Sequence, residues 1–115
     1  MSQKSAPPVL YLGEFEILVL LAVIRTGADA YGVTIHDELA RQIPRVTTLG
    51  AIYKTLGRLE RKGYVSTRIG PPTAERGGRR KKLYRLEPLG ARALKQSFAS
   101  IRRMTRDLGS ELESL

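Results

Sequence analysis

The hydrophobic residues of positions 46–63, VTTLGAIYKTLGRLERKG, recur at the spacing of one helical face. This apolar face comprises Leu49, Ile52, Leu56 and Leu59. The opposite face is basic and carries little bulk near its start. It comprises Thr47, Gly50, Ala51, Lys54, Arg58 and Arg61. One face therefore suits a protein core, and the other suits a negatively charged surface.

This predicted helix contains two glycines, although glycine is unfavourable inside a helix. Glycine in a helix interior costs roughly 1 kcal/mol relative to alanine, so Gly50 and Gly57 favour a helix that lies close against a phosphate-lined groove. Thr47 or Thr48 is suited to cap the start of the helix, and Gly63 is suited to end it. The pattern predicts a DNA recognition helix.

Two further helices are predicted ahead of this segment. The first runs from about Gly13 to Thr26 and is apolar over most of its circumference, which indicates burial on more than one side. The second begins at Tyr31-Gly32 and ends near Ile43, where Pro44 stops it. Only three or four residues separate it from the recognition helix, so the pair is a helix-turn-helix candidate.

After Gly63 the period of the pattern changes to two, which is typical of a half-exposed strand. Val65, Thr67 and Ile69 are expected to face inward. A basic loop follows, and residues 82–86 return as a second strand with Tyr84 and Leu86 inward. The predicted fold is mainly α with a small β-hairpin (α+β), a winged helix-turn-helix in which the hairpin and its loop form the wing.

A last helix is predicted to start at Pro88, a residue suited to the first helical turn. Its apolar positions follow a heptad pattern that is typical of a helix pairing with another helix. They are Leu94, Phe98, Ile101, Thr105, Leu108, Leu112 and Leu115. The simplest partner is a second copy of the chain, with Leu18 and Leu21 of the first helix completing the interface. The predicted division is an arm over 1–11, a DNA-binding domain over 12–87 and a dimerisation helix over 88–115.

The charge distribution supports a polyanionic partner. The net charge of the 115 residues is +9, but residues 45–85 hold twelve basic and two acidic side chains, a net charge of +10. Such clustering is expected of a surface that binds nucleic acid. The longest apolar run covers residues 17–24, which is short of the about 20 residues of a membrane span, so we expect a cytoplasmic protein that is associated with the nucleoid when bound to DNA.

The sequence gives little support for a metal site or for enzymatic catalysis. There is no cysteine, and the one histidine, His36, is expected to pack or to lie partly exposed and not to bind a metal. Glu14 and Glu16 are expected to lie in solvent or to favour the first turn of a helix. No catalytic residue, metal site or cofactor is predicted.

The DNA-binding residues divide by position. Those at the start of the recognition helix are expected to meet base edges; they are Thr47, Thr48, Gly50, Ala51 and Lys54. Arg58 and Arg61 are expected to hold phosphates, while for Tyr53 packing and phosphate contact stay open. In the wing, sugar-phosphate or minor-groove contacts are expected from Arg76, Arg79, Arg80 and Lys81.

Several of these segments together resemble the PadR family of bacterial transcriptional regulators. They are the leucine-rich first helix with Leu18 and Leu21, Tyr31-Gly32, residues 50–63 and residues 76–86. The resemblance implies a homodimer that usually represses promoters. Relatives of this type sense phenolic acids or planar drugs, sometimes between tryptophans, and this chain has no tryptophan. Glu87 stands where the family often has a threonine cap.

The sequence therefore predicts a homodimeric repressor of a near-palindromic operator in double-stranded DNA, with a small apolar or aromatic effector at the dimer interface as a hypothesis. Two alternatives stay open. One is a non-specific architectural nucleic-acid binder, and the other is a module whose basic wing binds an acidic protein. RNA is less favoured, because exposed aromatic platforms for stacking bases are not evident.

Overall fold

The computed structural model describes residues 10–72 and 80–115. The predicted order of three helices, a hairpin and a C-terminal helical tail is confirmed in these residues. The helices and strands are α1 (Glu14–Thr26), α2 (Gly32–Gln42), α3 (Leu49–Arg61), β1 (Val65–Pro72), β2 (Arg80–Leu86), α4 (Pro88–Thr105) and α5 (Gly109–Ser114), with a short 3-10 turn at Gly27–Asp29.

The core lies where α1, α2 and α3 meet. Six large side chains are completely or almost completely buried there: Val19, Leu20, Ile35, Ile52, Leu56 and Leu59. The predicted inward stripe of α2 is confirmed for Ile35 and Leu39, which are buried, whereas Ile43 is half-buried. Leu49 was expected on the apolar face of α3, but it is 39% exposed because it lies in the first turn, at the edge of the core.

Both ends of α3 carry the expected caps. The Thr48 hydroxyl oxygen accepts a hydrogen bond from the Ala51 amide at 3.0 Å. Gly63 has a φ of +79°, and the amide of Tyr64 donates to the Leu59 carbonyl at 3.0 Å, which is the geometry of a glycine-terminated helix. Local sequence therefore determines where α3 begins and ends.

The two strands form an antiparallel hairpin in which Val65 lies opposite Leu86 and Thr67 lies opposite Tyr84. The expectation that Ile69 faces inward is wrong, since this side chain is 59% exposed. Burial in β1 does not alternate strictly, because Ser66 and Thr67 are both half-buried and Gly70, not Ile69, is buried near its far end. The hairpin is joined to the domain by the Tyr84 amide, which donates to the Ala30 carbonyl at 2.8 Å.

The tail differs from the single helix that was expected. Helix α4 ends at Thr105, Asp107 takes a φ of +63°, and α5 starts at Gly109. The heptad stripe is also divided by burial. Leu94 is buried in the core of its own domain and Phe98 packs against that core, whereas the side chains beyond them are exposed: Ile101, Thr105, Leu108, Leu112 and Leu115. Only the exposed part is available to a second copy.

A cluster around Glu38 holds α1 against α2. The buried Glu38 carboxylate accepts hydrogen bonds from Arg25 Nε at 2.5 Å, from Gln42 Nε2 at 2.8 Å and from Arg41. The hydrogen bonds from Arg25, Gln42 and Arg41 lower the pKa of Glu38 from 4.5 to about 2. The folded state therefore favours the ionised carboxylate.

We expect this cluster to make the fold sensitive to acid. Because the folded pKa is depressed, its stabilising contribution is complete above pH 4.5 and is lost as the pH falls towards about 2. Glu38→Gln should reduce the change in urea unfolding midpoint between pH 6 and pH 3. The exposed Glu111→Gln is the control, and an equal pH response of both variants and the wild type would contradict this role.

Candidate nucleic-acid interface

The outer face of α3, opposite its buried side chains, is formed by Gly50, Lys54, Gly57 and Arg61, which recur at helical spacing. Lys54 and Arg61 are exposed, and neither makes a hydrogen bond or ion pair with any residue that the structure describes. Because no acidic partner neutralises them, both cations are available to an external anion.

Protein packing does not require the two glycines of the outer face. A Cβ atom on Gly50 would meet nothing closer than Thr48 Oγ1 at 3.9 Å, and one on Gly57 nothing closer than Arg61 Nη1 at 3.5 Å. Both distances are ordinary van der Waals contacts. Gly90 differs, because its Cβ would overlap the Tyr64 carbonyl oxygen. The outer glycines of α3 thus cost helix stability without a packing reason inside the chain.

Tyr53, for which the sequence left packing and phosphate contact open, packs against the start of α2. Its ring and hydroxyl lie directly over Gly32 at the start of α2, so closely that a Cβ on Gly32 would overlap both. The side chain nevertheless stays 49% exposed. Tyr53 therefore packs on one side and offers the other to solvent, and Gly32 is the residue that permits this contact.

The start of α3 presents fewer hydroxyl groups than expected. The Thr48 hydroxyl oxygen serves as the helix cap. The Thr47 hydroxyl is buried and has no hydrogen-bond partner among the described residues, so the structure does not support the expectation that it reaches a base edge. Gly50 and Ala51 are exposed as predicted.

The turn before α3 is held by His36, the one histidine. Its side chain is 32% exposed. His36 Nε2 lies 2.9 Å from the Thr47 carbonyl oxygen, to which it donates, and Nδ1 lies 3.2 Å from Asp37 Oδ1. The expectation of a partly buried histidine is confirmed. The residues described contain no group of three or more His, Cys, Asp or Glu side chains placed to hold a metal ion.

Glu16 was expected in solvent or as a favourable charge in the first turn of a helix, and it lies in the first turn of α1. Sequence reasoning missed its burial and its ion pairs. Its carboxylate is 5% exposed and accepts from Lys62 Nζ at 2.8 Å, from Arg58 Nε at 3.4 Å and from the Gly13 amide at 2.9 Å. Burial acts to raise the pKa of Glu16, but the hydrogen bonds from Lys62 and Gly13 outweigh it, and the pKa lies below its usual value.

This carboxylate changes the assignment of Arg58. The guanidinium was expected to hold phosphate, yet its Nε faces Glu16 while the side chain remains 44% exposed. Arg58 is thus partly committed to joining α3 to α1. Glu16 and Arg58 carry opposite charges, which is compatible with an ion pair. They lie 42 positions apart in the chain, however, so no local pattern in the sequence indicates that they meet.

In the wing, Arg80 is exposed at the start of β2. Lys81 is half-buried, with its ammonium group 4.4 Å from the centre of the Tyr31 ring, a cation–π contact that joins the hairpin to α2. Arg76 and Arg79 lie outside the described residues. Of the four predicted wing cations, Arg80 is therefore the one that the structure places in solvent.

The residues expected at a dimer interface fall in two places. Leu18 and Leu21 are half-buried on α1, beside Leu39 and Ile43 of α2. The other expected positions lie on α4 and the segment after it, and Met104, which the heptad pattern did not include, is 76% exposed there.

We expect Gly57→Ala to stabilise the isolated protein by about 0.5–1 kcal/mol, because a helix interior favours alanine and the added methyl group meets no overlap. Gly90→Ala is the contrasting variant and should destabilise the protein by about 1–3 kcal/mol through overlap with the Tyr64 carbonyl. Urea unfolding at pH 7 measures both. A loss of stability in Gly57→Ala would show that the fold itself requires this glycine.

The fold has close parallels among solved structures. A PadR family transcription regulator from Clostridium difficile R20291 has a TM-score of 0.66 and 20% identity, covering 85% of this chain and 98% of that one. A protein from Streptococcus mutans UA159 has a TM-score of 0.57 and 26% identity, covering 95% and 94%. Bacillus subtilis PadR, solved in complex with operator DNA, has a TM-score of 0.60 and 20% identity, covering 76% and 48%.

A comparison with proteins of curated function found no match. In the part of the chain that the structure describes, no helix has the length and hydrophobicity needed to cross a membrane.

The sequence model of the family described as "Transcriptional regulator PadR-like family" matches residues 20–96, about two thirds of the chain. This match spans α2, α3 and the hairpin, and it agrees with the fold of the solved regulators. The chain belongs to the PadR-like family of transcriptional regulators.

Proposed function

We propose that this protein is a sequence-specific DNA-binding regulator that acts as a homodimeric, ligand-responsive repressor. The observation that carries the proposal is the outer face of α3, where Lys54 and Arg61, which have no partner among the described residues, lie beside two glycines that packing does not require. The operator complex of Bacillus subtilis PadR, a protein of the same fold, supports duplex DNA as the ligand.

Electrostatic attraction supplies most of the affinity in this proposal. The segment of residues 45–85, which contains α3, has a net charge of +10, and each phosphate that a cation neutralises releases condensed counterions. Lys62 and Arg58 contribute less than their charge indicates, because the Glu16 carboxylate already pairs with both. Affinity should therefore fall steeply with added salt.

The contacts divide along α3. Gly50, Ala51 and Lys54 lie in its first turns and would meet base edges in the major groove, as the start of a recognition helix does. Arg61, two turns further on, would hold phosphate. Arg80 and the loop before it would reach the adjacent backbone or minor groove.

The exposed apolar side chains of the tail support dimerisation. Ile101, Met104, Leu108 and Leu112 are 39–76% exposed, and exposed apolar side chains of this kind gain stability when a second copy covers them. Two recognition helices held in this way match half-sites of a near-palindrome spaced by one helical turn or a multiple of it.

A groove beside the tail offers a place for an effector. It lies between Tyr11 and Ile17 on one side and Ser97 and Ile101 of α4 on the other, with a volume of about 320 Å³, within the usual range for small-molecule sites. In our proposal a small apolar or aromatic molecule binds here at the edge of the dimer interface. It alters the spacing of the recognition helices and so weakens DNA binding.

Footprinting on the promoter beside its own gene tests the proposal, because it reports specificity, symmetry and stoichiometry together. A protected near-palindrome at moderate salt, with random duplex unprotected, is the expected result. Equal affinity for operator-like and random duplex at equal salt would instead identify a non-specific architectural binder.

Two substitutions separate base from phosphate contacts. Lys54→Ala should cost about 1–3 kcal/mol in discrimination between operator and random duplex. Arg61→Ala should weaken binding to every duplex and reduce the slope of log K against log salt by about 1. Lys95→Ala, on α4, removes the same charge from an exposed site and is the control. If all three variants behave alike in fluorescence anisotropy, α3 is not the contact surface.

A charge in the tail tests the dimer. Leu112→Glu should weaken self-association at least tenfold in sedimentation equilibrium, because an unpaired carboxylate in an apolar interface costs more than about 1.4 kcal/mol. Ser114→Glu adds the same charge elsewhere on α5 and serves as the control. An unaffected dimer in Leu112→Glu would place the interface on another surface.

A further inference from the structure

The segment that leads into α3 presents mainly apolar groups to solvent. Val46 is 96% exposed, Leu49 is 39% exposed and Ala51 is exposed. Val46 lies two residues ahead of the helix cap, and Ala51 lies in the first turn. Val46 precedes the recognition helix, and Leu49 and Ala51 lie in its first turn, next to the end of the helix that our proposed function brings to the base edges.

The hydroxyl groups of the same segment are bonded, buried or packed within the protein. The Thr48 oxygen accepts from the Ala51 amide, and the Thr47 hydroxyl is buried. The Tyr53 hydroxyl lies over Gly32. Residues 46–54 contain no Asn, Gln, Asp, Glu or Arg, which are the side chains that form bidentate or acceptor pairs with bases. Lys54 is the flexible donor that remains.

The turn that carries Val46 is held in place. His36 Nε2 donates to the carbonyl oxygen of the next residue, Thr47, at 2.9 Å, and Arg45 pairs with Glu14 at 2.8 Å on the other side of Val46. Val46 is therefore exposed over almost its whole surface, between two residues that each contact another part of the protein.

One base edge matches this surface. In the major groove of unmodified DNA the C5-methyl of thymine is the apolar group, while the other bases offer donors and acceptors. We infer that Val46 and Ala51 recognise thymine through contact with its methyl group, and that Lys54 adds a hydrogen bond to a guanine. This specificity rests on the proposed function, since it applies only if α3 enters the major groove.

Charge favours DNA over a protein as the occupant of this apolar surface. The surface lies within the segment of net charge +10 and next to Lys54 in the chain, and neither Lys54 nor Arg61 pairs with a residue in the described part of the protein. A polyanion that also carries exposed methyl groups complements both properties, and thymine-containing duplex has both.

The test begins with a duplex selected by this protein from a random-sequence pool at constant salt. Thymines of the selected half-site are then replaced one at a time by deoxyuridine, which lacks only the methyl group, and the Kd is measured by fluorescence anisotropy. We expect about a fourfold loss of affinity for each methyl group that is contacted, as for one buried methylene. Replacement outside the half-sites should leave Kd unchanged.

Variants of the protein show which side chain contacts the thymine methyl group. Val46→Ala changes no buried side chain, and we expect it to abolish the effect of deoxyuridine at one position of each half-site. Lys54→Ala should weaken the thymine and deoxyuridine duplexes by the same factor. A selected duplex that tolerates deoxyuridine at every position, or full deoxyuridine sensitivity in Val46→Ala, would overturn the inference while leaving specific binding intact. Failure of the pool to enrich any sequence would instead overturn the proposed function.

Discussion

The complete burial of one face of α3 is the constraint on which the rest of the structure depends. Ile52, Leu56 and Leu59 are inaccessible to solvent, and a 13-residue helix that buries three such side chains cannot rotate about its axis without exposing them. Its opposite face is thereby held outward at a fixed angle. The geometry of the candidate interface follows directly from the packing of the core.

Polar contacts then join this helix to its neighbours at both ends. At the start, His36 binds the Thr47 carbonyl and the Tyr53 ring covers Gly32. At the other end the buried Glu16 carboxylate pairs with Lys62 and Arg58. Removing Glu16 would leave two cations unpaired beside the core, and buried pairs are costly to break from one side. The helix is therefore anchored at each end by a residue from another helix.

These contacts also decide which positive charges are available to a ligand. Of the basic residues in the segment of net charge +10, several are paired within the protein: Arg45, Arg58, Lys62, Lys82 and Arg85. Lys54 and Arg61 are not paired within the described residues, and they lie on the same face. The basic composition of the segment predicts that it attracts a polyanion over a long range. The positions of the cations that are not paired within the described residues indicate the surface at which a polyanion can bind.

The sequence by itself determined the elements of this protein and their caps. Helical spacing, Thr48, Gly63 and Pro88 are local signals, and local hydrogen bonding gives them the same meaning in almost any fold. Tertiary structure decided what depends on distant residues. The burial of Glu16, the exposure of Ile69 and the inward turn of Thr47 each depend on how separate segments meet in space, because burial and charge pairing act between residues far apart in the chain.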